Sequence, residues 1–125
     1  MNTRTGEADR QTLVRFIEEA FVCAQECERC AAACLPAIGP DEPEQWSRVD
    51  VRCAEICERT ARMLSRHPGH DAPELYAQVE LCAETCAEQA ERLAPYAGTE
   101  TRASLQAEAC ARCEKSCREL LGSLA

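Results

Sequence analysis

The sequence predicts an all-α fold, an antiparallel up-down-up-down four-helix bundle with a cysteine-lined core. Three observations predict it. Alanine, leucine, glutamate and arginine dominate the composition, and all four favour helix. Proline and glycine gather around residues 36–43, 68–73 and 95–98, which cuts the chain into four long stretches. Within each stretch, apolar residues and cysteines recur at steps of three and four, the spacing of one helical face. Short turns between four such helices indicate antiparallel neighbours.

Residues 1–7 read as a flexible tail and residues 8–125 as a single domain. The first helix is expected from about residue 8 to residue 35, stopped by Pro36 with Gly39 and Pro40 beyond it. Its inward stripe is Leu13, Phe16, Ala20, Cys23, Cys27, Cys30 and Cys34. Asp41 can cap the second helix, with Pro43 in the first turn and Glu44 returning the bond. That helix runs to about Arg66 and offers Trp46, Val49, Cys53, Cys57, Thr60 and Leu64 inward. His67-Pro-Gly-His70 makes the next turn, and Asp71-Ala-Pro-Glu74 repeats the capping arrangement. The third helix ends near Ala94, before Pro95, and turns Leu75, Val79, Cys82, Cys86, Gln89 and Leu93 inward. Thr99 or Thr101 caps the fourth, which runs to about Leu121. Its stripe is Ala103, Gln106, Cys110, Cys113, Cys117, Leu120 and Leu124.

A chain of 125 residues can bury one core without staples. The net charge of −8 argues against nucleic acid or an anionic membrane as partner, since both want clustered Lys and Arg. No apolar run approaches membrane-spanning length, and the first ten residues carry no signal-peptide core. The outlying number is eleven cysteines. Their count is odd, they lie inside helical patterns, and i,i+4 pairs on a continuous helix cannot easily meet disulfide geometry. A reduced, cytoplasmic set of thiols is therefore expected, and in that setting dense cysteine means metal binding or redox chemistry.

Folding the stripes antiparallel sets Cys23 and Cys27 level with Cys57 and Cys53, with Cys82 and Cys86, and with Cys113 and Cys110. With Cys117, nine thiols share one central section. Cys30 and Cys34 extend it towards a polar mouth holding Gln89 and Gln106. Leu13, Phe16, Leu64, Leu75, Val79 and Leu120 close the other end as an apolar floor. Residues at i and i+4 have Cβ atoms about 5–6 Å apart, and a linear sulfur–metal–sulfur unit spans about 4–5 Å. The pairs Cys23/Cys27, Cys30/Cys34, Cys53/Cys57, Cys82/Cys86 and Cys113/Cys117 could each hold a two-coordinate soft ion, with Cys110 left to bridge. Soft thiolates select Cu(I), and two-coordination suits it better than zinc. Several Cu(I) ions per chain are expected, each displacing thiol protons.

Other readings are weaker. Zinc or an iron–sulfur cluster needs four ligands at one point, which the central section could supply across helices. Thiol redox catalysis wants an exposed, low-pKa cysteine beside a resolving one, and inward stripes oppose it. No Ser/His/Asp set, phosphate loop or carboxylate dyad suggests an enzyme. His67 and His70 read as surface turn residues, Met63 as a core methionine, and Gln89 and Gln106 as lining the mouth or bonding each other. Glu55/Arg59, Glu58/Arg62 and Glu114/Arg118 read as i,i+4 supports on solvated faces.

The sequence also carries Cys23-x3-Cys27-x2-Cys30-x3-Cys34, Arg52-Cys53-Ala-Glu-Ile-Cys57, Leu81-Cys82-Ala-Glu-Thr-Cys86 and Cys110-Ala-Arg-Cys113-Glu-Lys-Ser-Cys117. Over about residues 10 to 122 this pattern resembles the bacterial copper storage proteins, cysteine-rich four-helix bundles with a copper-binding interior. The resemblance implies a homo-oligomer, often a tetramer, that stores many Cu(I) ions and is cytosolic when it lacks an export signal. The richest members of that family can continue with cysteine where this chain has Gln89, Leu93, Ala103 and Gln106, so a lower capacity near the mouth is expected. The His and Met residues tied to copper uptake in the family have no match here.

Overall fold

The computed structural model describes residues 3–33, 43–66, 73–96, 98 and 101–124. Four helices fill them: α1 (Thr3–Ala33), α2 (Pro43–Arg66), α3 (Pro73–Leu93) and α4 (Thr101–Leu124). A single 3-10 turn, Ala94–Tyr96, follows α3. Pro43 and Pro73 open their helices, where the missing N–H is no loss and the fixed φ is already helical. None of the described helices is long and apolar enough to cross a membrane.

Three boundaries differ from the sequence reading. The first helix already begins at Thr3, inside the segment expected to be a loose tail. No proline lies ahead of the strongly patterned part, and Gly6 costs only about 1 kcal/mol, so the helix extends backwards. The third helix stops at Leu93, and Pro95 sits in the tighter turn that follows. The fourth runs on to Leu124, past the expected stop near Leu121. Gly122 is there the one weak helix former, and it faces open space. The capping residues Asp41, Asp71 and Thr99, the His67–His70 turn and Cys34 lie outside the described residues, as do the side chains of Cys30, Trp46 and Leu124.

Each helix packs on two others, α1 on α2 and α4, and α3 on α2 and α4. Polar contacts fix the direction of two of these pairs. Arg15 of α1 meets Glu119 of α4 at 3.4 Å, while Cys27, further along α1, meets Gln106, further back on α4, at 3.4 Å. Asp50 of α2 meets Gln89 of α3 at 2.7 Å, while Thr60 meets Gln78 at 3.0 Å. As one helix ascends its neighbour descends, so the bundle is antiparallel as predicted.

The interior is layered along the bundle axis. Phe16, Leu64, Leu75, Val79 and Leu120 are buried at one end, with Leu13 and Met63 packed against them. Each contributes about 1.5–3 kcal/mol of apolar burial. Met63 thus takes the core role expected of it. At the other end Leu93 and Ala103 form a small separate cluster with Tyr96 and Ala107. Between these two apolar ends lie sulfur and then a polar layer. Buried alanines, among them Ala20, Ala24, Ala54, Ala83 and Ala109, flank the cysteines and keep the bundle narrow where the sulfurs meet. On the surface, Glu58/Arg62 and Glu114/Arg118 pair at 3.6 Å as the spacing predicts.

Candidate metal centre

Four helices deliver the thiols because cysteine continues their apolar stripes: α1 gives Cys23 and Cys27, α2 Cys53 and Cys57, α3 Cys82 and Cys86, and α4 Cys110, Cys113 and Cys117. All nine are buried and free. Their side chains form three overlapping groups, each with every sulfur within 4.8 Å of the others. Nearest the floor are Cys82, Cys113 and Cys117; next come Cys23, Cys57, Cys86 and Cys113; then Cys23, Cys27, Cys53 and Cys110. Cys113 joins the first pair of groups and Cys23 the second, so the sulfurs make one continuous column.

Five close sulfur contacts run between helices. Cys23 lies 3.6 Å from Cys110 and 3.9 Å from Cys86. Cys57 lies 3.6 Å from Cys86 and 3.9 Å from Cys82, and Cys27 lies 3.8 Å from Cys110. The sequence reading emphasised pairs on one helix. Cys23/Cys27 and Cys113/Cys117 do share a group, but Cys53/Cys57 and Cys82/Cys86 are split between groups. Side chains one turn apart start about 5–6 Å apart at Cβ, whereas facing helices in a narrow bundle bring sulfurs closer. Packing across helices therefore sets the ligand geometry.

Protons in this column belong to the set as a whole. The contact with Cys110, then those with Cys113, Cys27 and Cys53, push the Cys23 thiol up. Its neighbour Cys53 is held low by hydrogen bonds from Cys110 first, then Cys23, Cys27 and Cys57. Cys113 is likewise held low, chiefly by Cys117, and Cys117 is pushed up by the same contact. At Cys82 the Cys113 contact pushes up, but Cys117, Cys57 and Cys86 together outweigh it and hold the thiol at about 6. A thiolate here is tolerated only where protonated neighbours donate to it, so buried negative charge stays sparse.

Beyond the Cys27 end of the column sits a group the sequence reading missed. Asp50 is only 2% exposed. One oxygen, Oδ1, accepts from Gln89 Nε2 at 2.7 Å, Gln106 Nε2 at 2.8 Å and Arg92 Nη2 at 3.3 Å. Gln106 Nε2 also lies 3.4 Å from Cys27 Sγ, which ties this layer to the thiols. Burial raises the Asp50 carboxyl, and the bonds from Gln106 and Gln89 and the charge of Arg92 only partly counter it. Gln89 and Gln106, expected to line the mouth or bond each other, both donate to Asp50, whose charged carboxylate is the stronger acceptor. Their own Oε1 atoms are buried without a partner. The signal was present in the sequence: residues 46, 50, 53, 57, 60 and 64 follow a strict four-three rhythm. Val49, chosen for the stripe, is only half-buried.

The family profile described as copper storage protein matches residues 9–122. A cytosolic copper storage protein from Streptomyces lividans, solved with five coppers, is 40% identical over 93% of this chain and 97% of its own, with a TM-score of 0.83. The copper storage protein of the same organism loaded with 10 copper equivalents is 41% identical over 96% of this chain and 91% of its own, with a TM-score of 0.85. No curated protein sequence matches this one.

Proposed function

The chain belongs to the copper storage protein family, and from that premise we propose that it takes up copper as Cu(I) and holds several ions on cysteine thiolates inside the bundle. One observation carries the proposal: nine free, buried thiols form three groups linked by shared sulfurs into a single column. Thiolates are soft ligands and favour Cu(I) over harder ions. Interhelical separations of 3.6–3.9 Å need only small side-chain adjustments to bridge or share such ions. The role is that of a store and not an enzyme, since no described thiol is exposed to meet a substrate.

The proposed ligands are Cys23, Cys27, Cys53, Cys57, Cys82, Cys86, Cys110, Cys113 and Cys117. Cys30 and Cys34 are added on helical phase alone. Where the column meets Asp50, Gln89 and Gln106, sulfur gives way to oxygen and nitrogen, so capacity is lower at that end. Loading displaces protons from the raised thiols and is therefore weaker at low pH. A reducing compartment suits free thiols, and the Streptomyces relative is cytosolic, so the cytoplasm is the proposed location. Family resemblance suggests a homo-oligomer, a tetramer, and Val14, Val22 and Leu105 are apolar side chains that such an assembly could cover.

Anaerobic titration of the reduced chain with Cu(I) against a competing chelator tests the proposal. The expected result is tight uptake of several ions per chain with helicity unchanged. Uptake that stops at one ion, or that requires unfolding, would overturn it.

A further inference from the structure

The layer formed by Cys23, Cys57, Cys86 and Cys113 differs from the rest of the column, because each of the four helices contributes one sulfur to it. Linear coordination needs two opposed sulfurs. Here four are gathered round one point, all within 4.8 Å of one another. A regular tetrahedron with metal–sulfur bonds of about 2.3 Å has edges of about 3.8 Å. The Cys57–Cys86 and Cys23–Cys86 edges are 3.6 and 3.9 Å, so these two already bracket that value without a metal.

We propose that this layer is a closed tetrahedral site for one Zn2+ per chain, filled when copper is scarce and emptied by Cu(I). The proposal rests on the column being a metal store, and it assigns a second ion to part of it. Zn2+ prefers four ligands, and a site with all four supplied by protein is of the structural type, with no position left open for water. The surroundings support a tetrathiolate. Cys82 donates to Cys57 at 3.9 Å, so an S–H group outside the layer already supports one of the ligand sulfurs.

The same geometry limits the site to one ion. The other four-sulfur group, Cys23, Cys27, Cys53 and Cys110, shares Cys23 with this one. It also adjoins the Asp50 layer through Gln106. Zn2+ with four thiolates carries two net negative charges, which a nearby carboxylate opposes. The third group supplies only three sulfurs. Exchange involves no redox step: Zn2+ binding releases thiol protons, and Cu(I), the softer ion, later takes the sulfurs while Zn2+ leaves hydrated.

The test uses the full-length, reduced, metal-free chain titrated anaerobically with Co2+ as a spectroscopic stand-in for Zn2+, followed by competition with Zn2+. One equivalent with a tetrahedral tetrathiolate spectrum is expected, displaced by one equivalent of Zn2+ and by Cu(I). Cys57→Ser and Cys86→Ser should each weaken Zn2+ binding by more than roughly a hundredfold, beyond what loss of an outer partner costs. Cys53→Ser, equally buried, should retain the tetrahedral spectrum. An octahedral spectrum, a stoichiometry other than one, or equal losses in Cys53→Ser and Cys86→Ser would overturn the site. Circular dichroism monitors folding, and Cys57→Ala and Cys86→Ala repeat the comparison should a serine variant unfold. Copper uptake measured on the same preparation separates the two readings. Full copper loading with octahedral cobalt removes only the zinc site, whereas no copper uptake removes the store itself.

Discussion

The sulfur column and the Asp50 layer are neighbours in one bundle, yet they solve the burial of ionisable groups in opposite ways. Nine thiols are buried by remaining mostly protonated, each both weak donor and weak acceptor, and in three of the five close interhelical contacts either sulfur can donate. Asp50 is a single group, but its Oδ1 alone takes three defined bonds from two helices. The column can therefore rearrange around incoming metal at little cost. The polar layer cannot, and it fixes α2 against α3 and α4 at one height. A store needs both, soft contacts where cargo binds and a rigid mark that keeps four helices in register.

Metal should produce the largest effect and should act on the column alone. With free Cu(I) at a thousandfold its dissociation constant, each site adds about 4 kcal/mol. The thermal midpoint of the loaded protein should rise accordingly, and by the same increment in Asp50→Ala. Unequal increments would mean that the two regions are coupled.

Next in size is the layer itself. Asp50→Ala leaves the Gln89 and Gln106 amides without their acceptor and should cost about 3 kcal/mol in urea unfolding of the metal-free protein. A loss below about 1 kcal/mol would show that the layer is dispensable for register.

A pH series on the reduced, empty protein sharpens the contrast further. Cys23, Cys57, Cys86, Cys110 and Cys117 are raised. The folded state then holds protons that the unfolded chain releases, so their contribution is complete below the ordinary thiol value of about 8.5 and is lost as pH rises above it. Cys82, held at about 6, has the opposite sign: its contribution is complete above the ordinary value and lost as pH falls through about 6. Cys53 and Cys113, also held low, share the sign of Cys82, so urea midpoints should peak near the ordinary thiol value, and Cys82→Ala should make the fall on the acid side shallower. The smallest effect belongs to the surface. Arg15→Ala breaks an exposed pair with Glu119 and should shift stability by about 0.5 kcal/mol or less.

Much of the molecule was legible in the sequence, and the exceptions share a cause. Helical phase identified the inward thiols because cysteine fell on stripes already marked by Phe16, Leu64, Val79 and Leu120, and the antiparallel register followed from proline-bounded turns. Phase also turned Gln89 and Gln106 inward. What it could not supply was their partner, because a carboxylate three residues before Cys53 looks like one more acid on a solvated face. Periodicity records which way a residue points but not which donors converge on it from other helices. The same limit explains the emphasis on same-helix sulfur pairs: spacing within one helix is written in the sequence, while the approach of two helices is set by the small residues between them.

Because Cys23 and Cys113 each belong to two groups, the column has joints and no partitions. Losing Cys113 would leave its two groups joined through the 3.9 Å Cys57–Cys82 contact alone, whereas losing Cys27 or Cys117 takes a sulfur from only one group and leaves both shared sulfurs in place. Such a store can be trimmed from its extremities while the remainder stays connected, and Gln89 and Gln106 stand at one of those extremities.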